Sequence, residues 1–280
     1  MEFTFNASAL GAGGVIERTS RGRTRTTLIP SLASVALAPS GGEGSSVVVN
    51  YDTPELAFLR AETRVAGYRV SKSVFTTYTD VLITGLRVLD RLSIALMHAT
   101  VTSTRDVNDE DDDSSQFTLQ ATYRGVEVYD LEVAPLVDVE LCSFPRYADV
   151  AERLLGQNGD LRKRFGIATE NDNTLLAQRV RARKPLQGSI VKQVEQGGGL
   201  SSVGHKLHVP SFGTARFGEL MLKPGRRRVN LLRLAFGVDE TRMGDPAPED
   251  EAMALEAPED DPSGSMTVGS VEGNGNPVFP

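Results

Sequence analysis

The chain has one cysteine, Cys142, no tryptophan, and only three histidines, His98, His205 and His208, in 280 residues. A single cysteine excludes an internal disulfide and any zinc or iron–sulfur centre built on several thiolates. No run approaches the roughly 18–20 apolar residues that a membrane-spanning helix needs. The opening Met1-Glu2-Phe3-Thr4-Phe5 lacks the basic start and apolar stretch of a secretory leader. These absences point to a cytoplasmic protein without a membrane span. Its 40% hydrophobic and 24% charged residues are enough to build a sizeable core by packing alone.

The net charge of −7 is unevenly spread. Residues 239–280 hold eleven acids against Arg242 alone, so residues 1–238 carry 26 acids and 29 bases. The body is slightly basic and the acidity is confined to the tail. A stretch so rich in Glu, Asp, Pro and Ala cannot bury enough surface to offset its ordering entropy. The expected organisation is a single β-rich domain over 1–238, an acidic flexible linker over 239–265, and a C-terminal segment over 266–280. In that segment Met266, Val268, Val271, Val278 and Phe279 offer apolar anchors for docking on the domain, against an edge strand or groove.

Strand signals dominate the body. Between Leu56 and Thr104, residues such as Val65, Tyr68, Phe75, Val81, Ile83 and Val101 favour pleated structure. The stretch Leu92 to Thr102 also fits a helical stripe through Leu92, Ala95, Leu96 and Ala99, but its continuation Thr100–Thr104 favours strand. Gly67, Gly85 and Asp90-Arg91 read as breaks or bends between strands, and Gly125 as a turn. Pro224-Gly225 centres a hairpin of 214–223 and 228–236. A helical insert is expected around 144–184, with Ser143 as N-cap and Tyr147, Val150, Ala151 and Leu154 at helical spacing. Shorter helices follow from Asp160 and after Asn173. The pattern predicts a mainly β fold, antiparallel and sandwich- or barrel-like.

Candidate chemistry is sparse. Asp106, Asn108, Glu110 and Asp112 place oxygen ligands at alternate positions, but Asp111 stands where a calcium loop needs glycine and Phe117 where it needs glutamate. They read as a solvated loop, with weak divalent-ion binding as the lesser reading. His205 and His208 are three apart and on a strand face opposite sides, so they do not chelate one ion. Cys142 precedes a helix start, where a thiol pKa can fall, but no base accompanies it. Gly11-Ala12-Gly13-Gly14 and Gly197-Gly198-Gly199 lack the endings of phosphate loops and read as turns or connections. No cofactor is implied. Basic clusters occur at Arg21/Arg23/Arg25, Arg162/Lys163/Arg164, Arg179/Arg181/Arg183/Lys184 and Arg226/Arg227/Arg228. If the fold gathers several of them, a phosphate-binding face follows.

The run Gly204-His-Lys-Leu-His-Val-Pro-Ser-Phe-Gly-Thr-Ala-Arg-Phe-Gly-Glu-Leu-Met-Leu resembles a group of uncharacterised bacterial proteins of similar length, with no assigned activity. So do Arg227-Arg-Val-Asn-Leu-Leu-Arg-Leu-Ala-Phe-Gly, Ala9-Leu-Gly-Ala-Gly-Gly, Gly85-Leu-Arg-Val-Leu-Asp and Glu272-Gly-Asn-Gly-Asn-Pro. The resemblance implies a bacterial, single-domain protein and transfers no catalytic residue. The preferred expectation is a non-enzymatic binding or assembly protein of unknown ligand, its partner open, with a protein partner or a second copy of itself among the options. A hydrolase or transferase with a carboxylate-based site is the second candidate, and nucleic-acid association through a gathered basic face the third.

Overall fold

The computed structural model describes residues 2–20, 23–109, 113, 115–156, 159–167, 170–198, 200–237 and 262–278. In chain order the first strands are β1 (Glu2–Ser20), β2 (Arg23–Ala36), β3 (Gly42–Asp52), β4 (Leu56–Arg69) and β5 (Val74–Val88). They continue as β6 (Leu92–Asp106), β7 (Gln116–Val128) and β8 (Leu131–Val137). Four helices come next, α1 (Val139–Ser143), α2 (Tyr147–Leu155), α3 (Gly159–Arg164) and α4 (Glu170–Arg181). The remaining strands are β9 (Leu186–Ser189), β10 (Val191–Gln196), β11 (Ser201–Val203), β12 (Lys206–Val209), β13 (Gly213–Lys223), β14 (Arg226–Phe236) and β15 (Pro262–Val278).

All pairings are antiparallel and make two sheets. One runs β11-β12-β13-β14-β15-β1-β2, with β9 also on β13, and the other runs β10-β8-β7-β6-β5-β4-β3. The sheets face each other as a sandwich, β1 and β15 lying against β4, β5 and β6, and do not close into a barrel. Phe58, Ile83, Met97 and Leu119 from one sheet meet Ala9, Phe217, Leu234 and Val268 from the other in one apolar core. The first sheet bridges to the second through β9 and β10, because Ile190 between them donates its amide to Gly218 and accepts from Asp138.

Both sheets are kinked along one line. In the first, Gly218 of β13, Gly269 of β15 and Ala33 of β2 have φ of 62°, 69° and 47°. The register places them in a row across five strands, Gly218, Leu231, Gly269, Gly11 and Ala33. In the second sheet the row is Asn50, Leu59, Gly85, Ala95 and Gly125, and Asn50, Gly85 and Gly125 have φ of 53°, 64° and 57°. A regular strand alternates faces residue by residue, so positions three apart point opposite ways. At these rows that rule fails. Phe58 and Ala61, Ile83 and Leu86, Ile94 and Met97, and Val268 and Val271 are all buried in the same core. One left-handed residue in alternate strands lets every strand switch its inward set at the same level.

Several expected breaks are these kinks or close contacts instead. Gly85 and Gly125 lie inside β5 and β7, Gly67 inside β4, and Gly11–Gly14 inside β1. A Cβ on Gly14 would stand 2.4 Å from the Ser265 carbonyl oxygen, so glycine here permits close backbone approach rather than a turn. Ser143 ends α1 rather than capping α2. The α2 amides of Tyr147 and Ala148 donate instead to the buried Asp113 carboxylate at 3.1 and 2.8 Å. Residues 262–278 form β15, hydrogen-bonded between β14 and β1, so the segment fills the interior of a sheet rather than an edge. The expected linker residues 239–261 and the anchor Phe279 lie outside the described residues.

The row predicts a specific fragility. At Gly269 the backbone is left-handed, and a Cβ would lie 2.9 Å from Leu231 Cδ1. Gly269→Val should cost roughly 2–4 kcal/mol in urea unfolding, the sum of backbone strain and overpacking. At Gly159 in α3 a Cβ meets nothing within 4 Å, so Gly159→Ala should be neutral or slightly stabilising. Equal midpoints for the two variants would contradict the kink.

Candidate functional site

The β13–β14 hairpin builds the floor of a groove. Its inward residues, Phe217, Leu220, Leu222, Val229, Leu232 and Leu234, are buried in the core. Its outward residues are Arg216, Glu219 and Met221 on β13 and Arg228, Asn230 and Arg233 on β14. Arg216 and Glu219, like Asn230 and Arg233, are three apart and still share a face, because the kink row at Gly218 and Leu231 falls between them. The α3 end then adds Lys163 and Arg164, α4 adds Arg179, and the turn into β12 adds His205 and Lys206. Gln187 and Gly188 of β9 and Phe165 complete the walls of a cavity of about 520 Å³.

Among the described residues seven of those lining the groove are cationic and Glu219 is the one carboxylate. Glu219 sits between Arg216 at 3.4 Å and Arg233 at 3.6 Å. Arg228 is held by Glu272, which accepts from its Nε at 2.7 Å and also pairs with Arg226. Arg164, with 8% of its side chain exposed, donates to Asp138 at 2.5 Å and to the Ser189 carbonyl at 3.3 Å. Burial opposes ionisation of Asp138, but Arg164, the Leu141 amide and the charge of Lys192 outweigh it and hold its pKa below the usual range. These pairs fix guanidinium groups in position, and among the described lining residues positive charge exceeds negative. An anion with several oxygens, above all a phosphate, matches a set of fixed guanidinium forks.

Three of the four basic clusters seen in the sequence reach this groove, through Lys163 and Arg164, Arg179, and Arg228. The fourth does not: Arg25 belongs to β2 and Arg21 lies outside the described residues. Clusters also divide. Arg227 turns inward, 2% exposed, with its guanidinium 5.0 Å from the Phe117 ring, and burial pulls its pKa down to about 10. Arg162 donates to Asn173 and to the Leu154 carbonyl. Lys206, Arg216 and Arg233 stand alone in sequence and carried no cluster signal, and only their spacing around a kinked hairpin reveals them.

The other candidate residues are scattered. Asp106 accepts from the Asn108 amide at 3.0 Å in a local turn, whereas Glu110 and Asp112 lie outside the described residues. Among the described residues no three His, Cys, Asp or Glu side chains are grouped to hold a metal ion. Cys142 lies within α1 rather than at a helix start, and burial, then the Asp138 charge, push its pKa up to about 11. Burial and a raised pKa favour the inert cysteine over the reactive thiol. His98 of β6 and Asp80 of β5 lie on neighbouring strands of the second sheet, away from the groove, with His98 Nε2 2.7 Å from Asp80 Oδ1, and the same oxygen accepts from Thr100 Oγ1 at 2.8 Å. His208 is on β12, and its buried Nδ1 has no hydrogen-bond partner among the described residues.

His205 alone of the histidines lines the groove. Burial, then the charges of Lys206, Arg216 and Arg164, pull its pKa down to about 4. The folded chain therefore refuses a proton that the unfolded chain, with an imidazole pKa of about 6.5, accepts. His205 costs no stability above that value, and stability falls as pH drops from about 6.5 towards about 4. Replacing His205 with Gln should shrink the loss of urea stability between about pH 7 and about pH 5. An unchanged loss would show that the imidazole stays unperturbed in the groove.

No curated protein matches the chain, and no solved structure does. Among the described residues no helix is long and apolar enough to cross a membrane. A family model described as a domain of unknown function, DUF8256, matches residues 3–160, which hold β1–β8, α1 and α2. The groove residues from Lys163 to Arg233 follow the matched span, and with more than half of its length within that span, the chain belongs to the DUF8256 family.

Proposed function

We propose that this is a non-enzymatic, cytoplasmic binding protein that takes a phosphate-bearing ligand in the basic groove. One observation carries the reading: seven cationic side chains from α3, α4, β12, β13 and β14 converge on one cavity whose described lining residues include a single carboxylate, Glu219. Concentrating like charge in one place is unfavourable in the free protein, and an anionic ligand relieves it. The cavity of about 520 Å³ suits a small molecule, since ligand sites run from roughly 300 to 1,000 Å³. His205, uncharged at neutral pH, contributes hydrogen-bonding capacity rather than a further charge. The cytoplasmic assignment is supported by one buried cysteine and no disulfide partner.

Calorimetry of the full chain with inorganic pyrophosphate tests the reading. Exposed Lys163 and Arg179 are the variants of choice, because neither supports the core. Lys163→Ala and Arg179→Ala should each weaken pyrophosphate binding about tenfold or more, since a hydrogen bond to a charged group contributes roughly 1.5–3 kcal/mol. Unchanged affinity in both variants would place the anion elsewhere. The positive excess also favours a second reading, in which the groove holds one segment of a single-stranded nucleic acid. Affinity for an oligonucleotide would then fall steeply with salt, with a log–log slope of about −0.7 per phosphate engaged. A slope near zero would remove it.

A further inference from the structure

Beside the basic groove lies a smaller side pocket of about 140 Å³. Phe165, Gly166, Arg179 and Gln187 line both spaces and form their common wall. Beyond that wall the side pocket is open to solvent and mixed in character, with Ile167, Leu175, Leu176 and Leu186 as an aliphatic side and Asp172 the carboxylate among its lining residues. Leu176 and Leu186 are buried, whereas Leu175 on α4 is 55% exposed, a large apolar side chain facing this space without cover. In size alone, a space of about 150 Å³ is enough for one benzene ring. The Phe165 ring is held in place against β9, for a Cβ on Gly188 would come within 2.6 Å of it. A fixed aromatic wall favours a flat group packed beside it.

We infer that the ligand is an organic phosphate carrying one aromatic ring, with the phosphate in the basic groove and the ring in the side pocket. The inference rests on the proposed anion-binding function and deepens it. Arg179 reaches both spaces, so a phosphate on its guanidinium places the ester substituent at the mouth of the side pocket. The Gln187 amide lies at the same junction and can serve a polar atom on the ring. The pairing of a charged groove with an annex walled by Phe165 and four aliphatic side chains gives selectivity that charge alone does not provide: an inorganic anion fills only the first, and an uncharged aromatic gains only the second.

Titration calorimetry of the full chain with inorganic phosphate and with phenyl phosphate, at matched ionic strength, tests this. Phenyl phosphate should bind at least tenfold more tightly. Leu175→Gln, a neutral change at an exposed position that spares the core and brings no charge to Arg179, should remove most of that advantage and leave inorganic phosphate affinity within about twofold. Equal affinities of the wild-type protein for the two probes overturn the inference and leave the anion groove standing. An advantage for phenyl phosphate that survives Leu175→Gln also overturns it, since the ring then sits outside the side pocket. If neither probe binds at millimolar concentration, the anion-binding reading itself falls.

Discussion

A strand that must keep one face in an apolar core cannot change its facing set without a defect, and here every central strand changes it at the same level. The left-handed residues Asn50, Gly85 and Gly125 in one sheet, and Ala33, Gly218 and Gly269 in the other, are that defect. They occur in alternate strands, while the intervening strands pass Leu59, Ala95, Leu231 and Gly11 through the same row. A left-handed alanine or asparagine costs about 1–3 kcal/mol, so its retention at Ala33 and Asn50 reflects what the surrounding packing gains. The Tyr123 hydroxyl crosses the sandwich at this level and donates to the Leu231 carbonyl at 2.6 Å, tying the two sheets together where the regular ladder is interrupted.

The basic groove is a product of the same irregularity. On a regular hairpin Arg216 would point away from Glu219, and Arg233 away from Asn230. Half of the outer floor would then be turned into the core, where an unpaired guanidinium is costly. With the kink, the carboxylates of Glu219 and Glu272 lie interleaved with the arginines, and Asp138 anchors Arg164 from below. Interleaved acids lower the repulsion among the cations without cancelling it, and they fix guanidinium directions. That is the condition for binding an anion with little loss of side-chain entropy.

Fold class was legible in the sequence because β-branched and aromatic residues dominate and the Pro224-Gly225 hairpin has strong turn chemistry. Helix character was legible in Tyr147, Val150, Ala151 and Leu154, all of them buried. Strand interiors were harder to read, for a definite reason. The helical stripe suspected between Leu92 and Ala99 comes from the step between Ile94 and Met97, where two inward residues stand three apart on a strand. Gly85 and Gly125 looked like ends of strands because a left-handed glycine in mid-strand has the same composition as a turn. Asp113 gave no sign of being a helix cap, since the helix it serves begins 34 residues later. The groove was half legible: clustered bases signalled three of its walls, and isolated Lys206, Arg216 and Arg233 signalled nothing.

The position of β15 has a consequence for how the molecule is assembled over time. Leu10 pairs with Ser270 and Glu2 with Val278, so the central pairing of one sheet joins residues separated by most of the sequence. Non-local pairing of this kind raises contact order and slows folding, because the entropy of closing so long a loop is lost before the contacts form. During synthesis the β1–β2 hairpin must persist with one edge unpaired, a state open to intermolecular strand exchange and to holdase chaperones. The same late strand supplies the second neighbour of β14 and the Glu272 that steadies Arg228. Closure of the sheet and completion of the basic groove are therefore one kinetic event, and a chain stalled before it would have an open sheet edge and an unfinished groove.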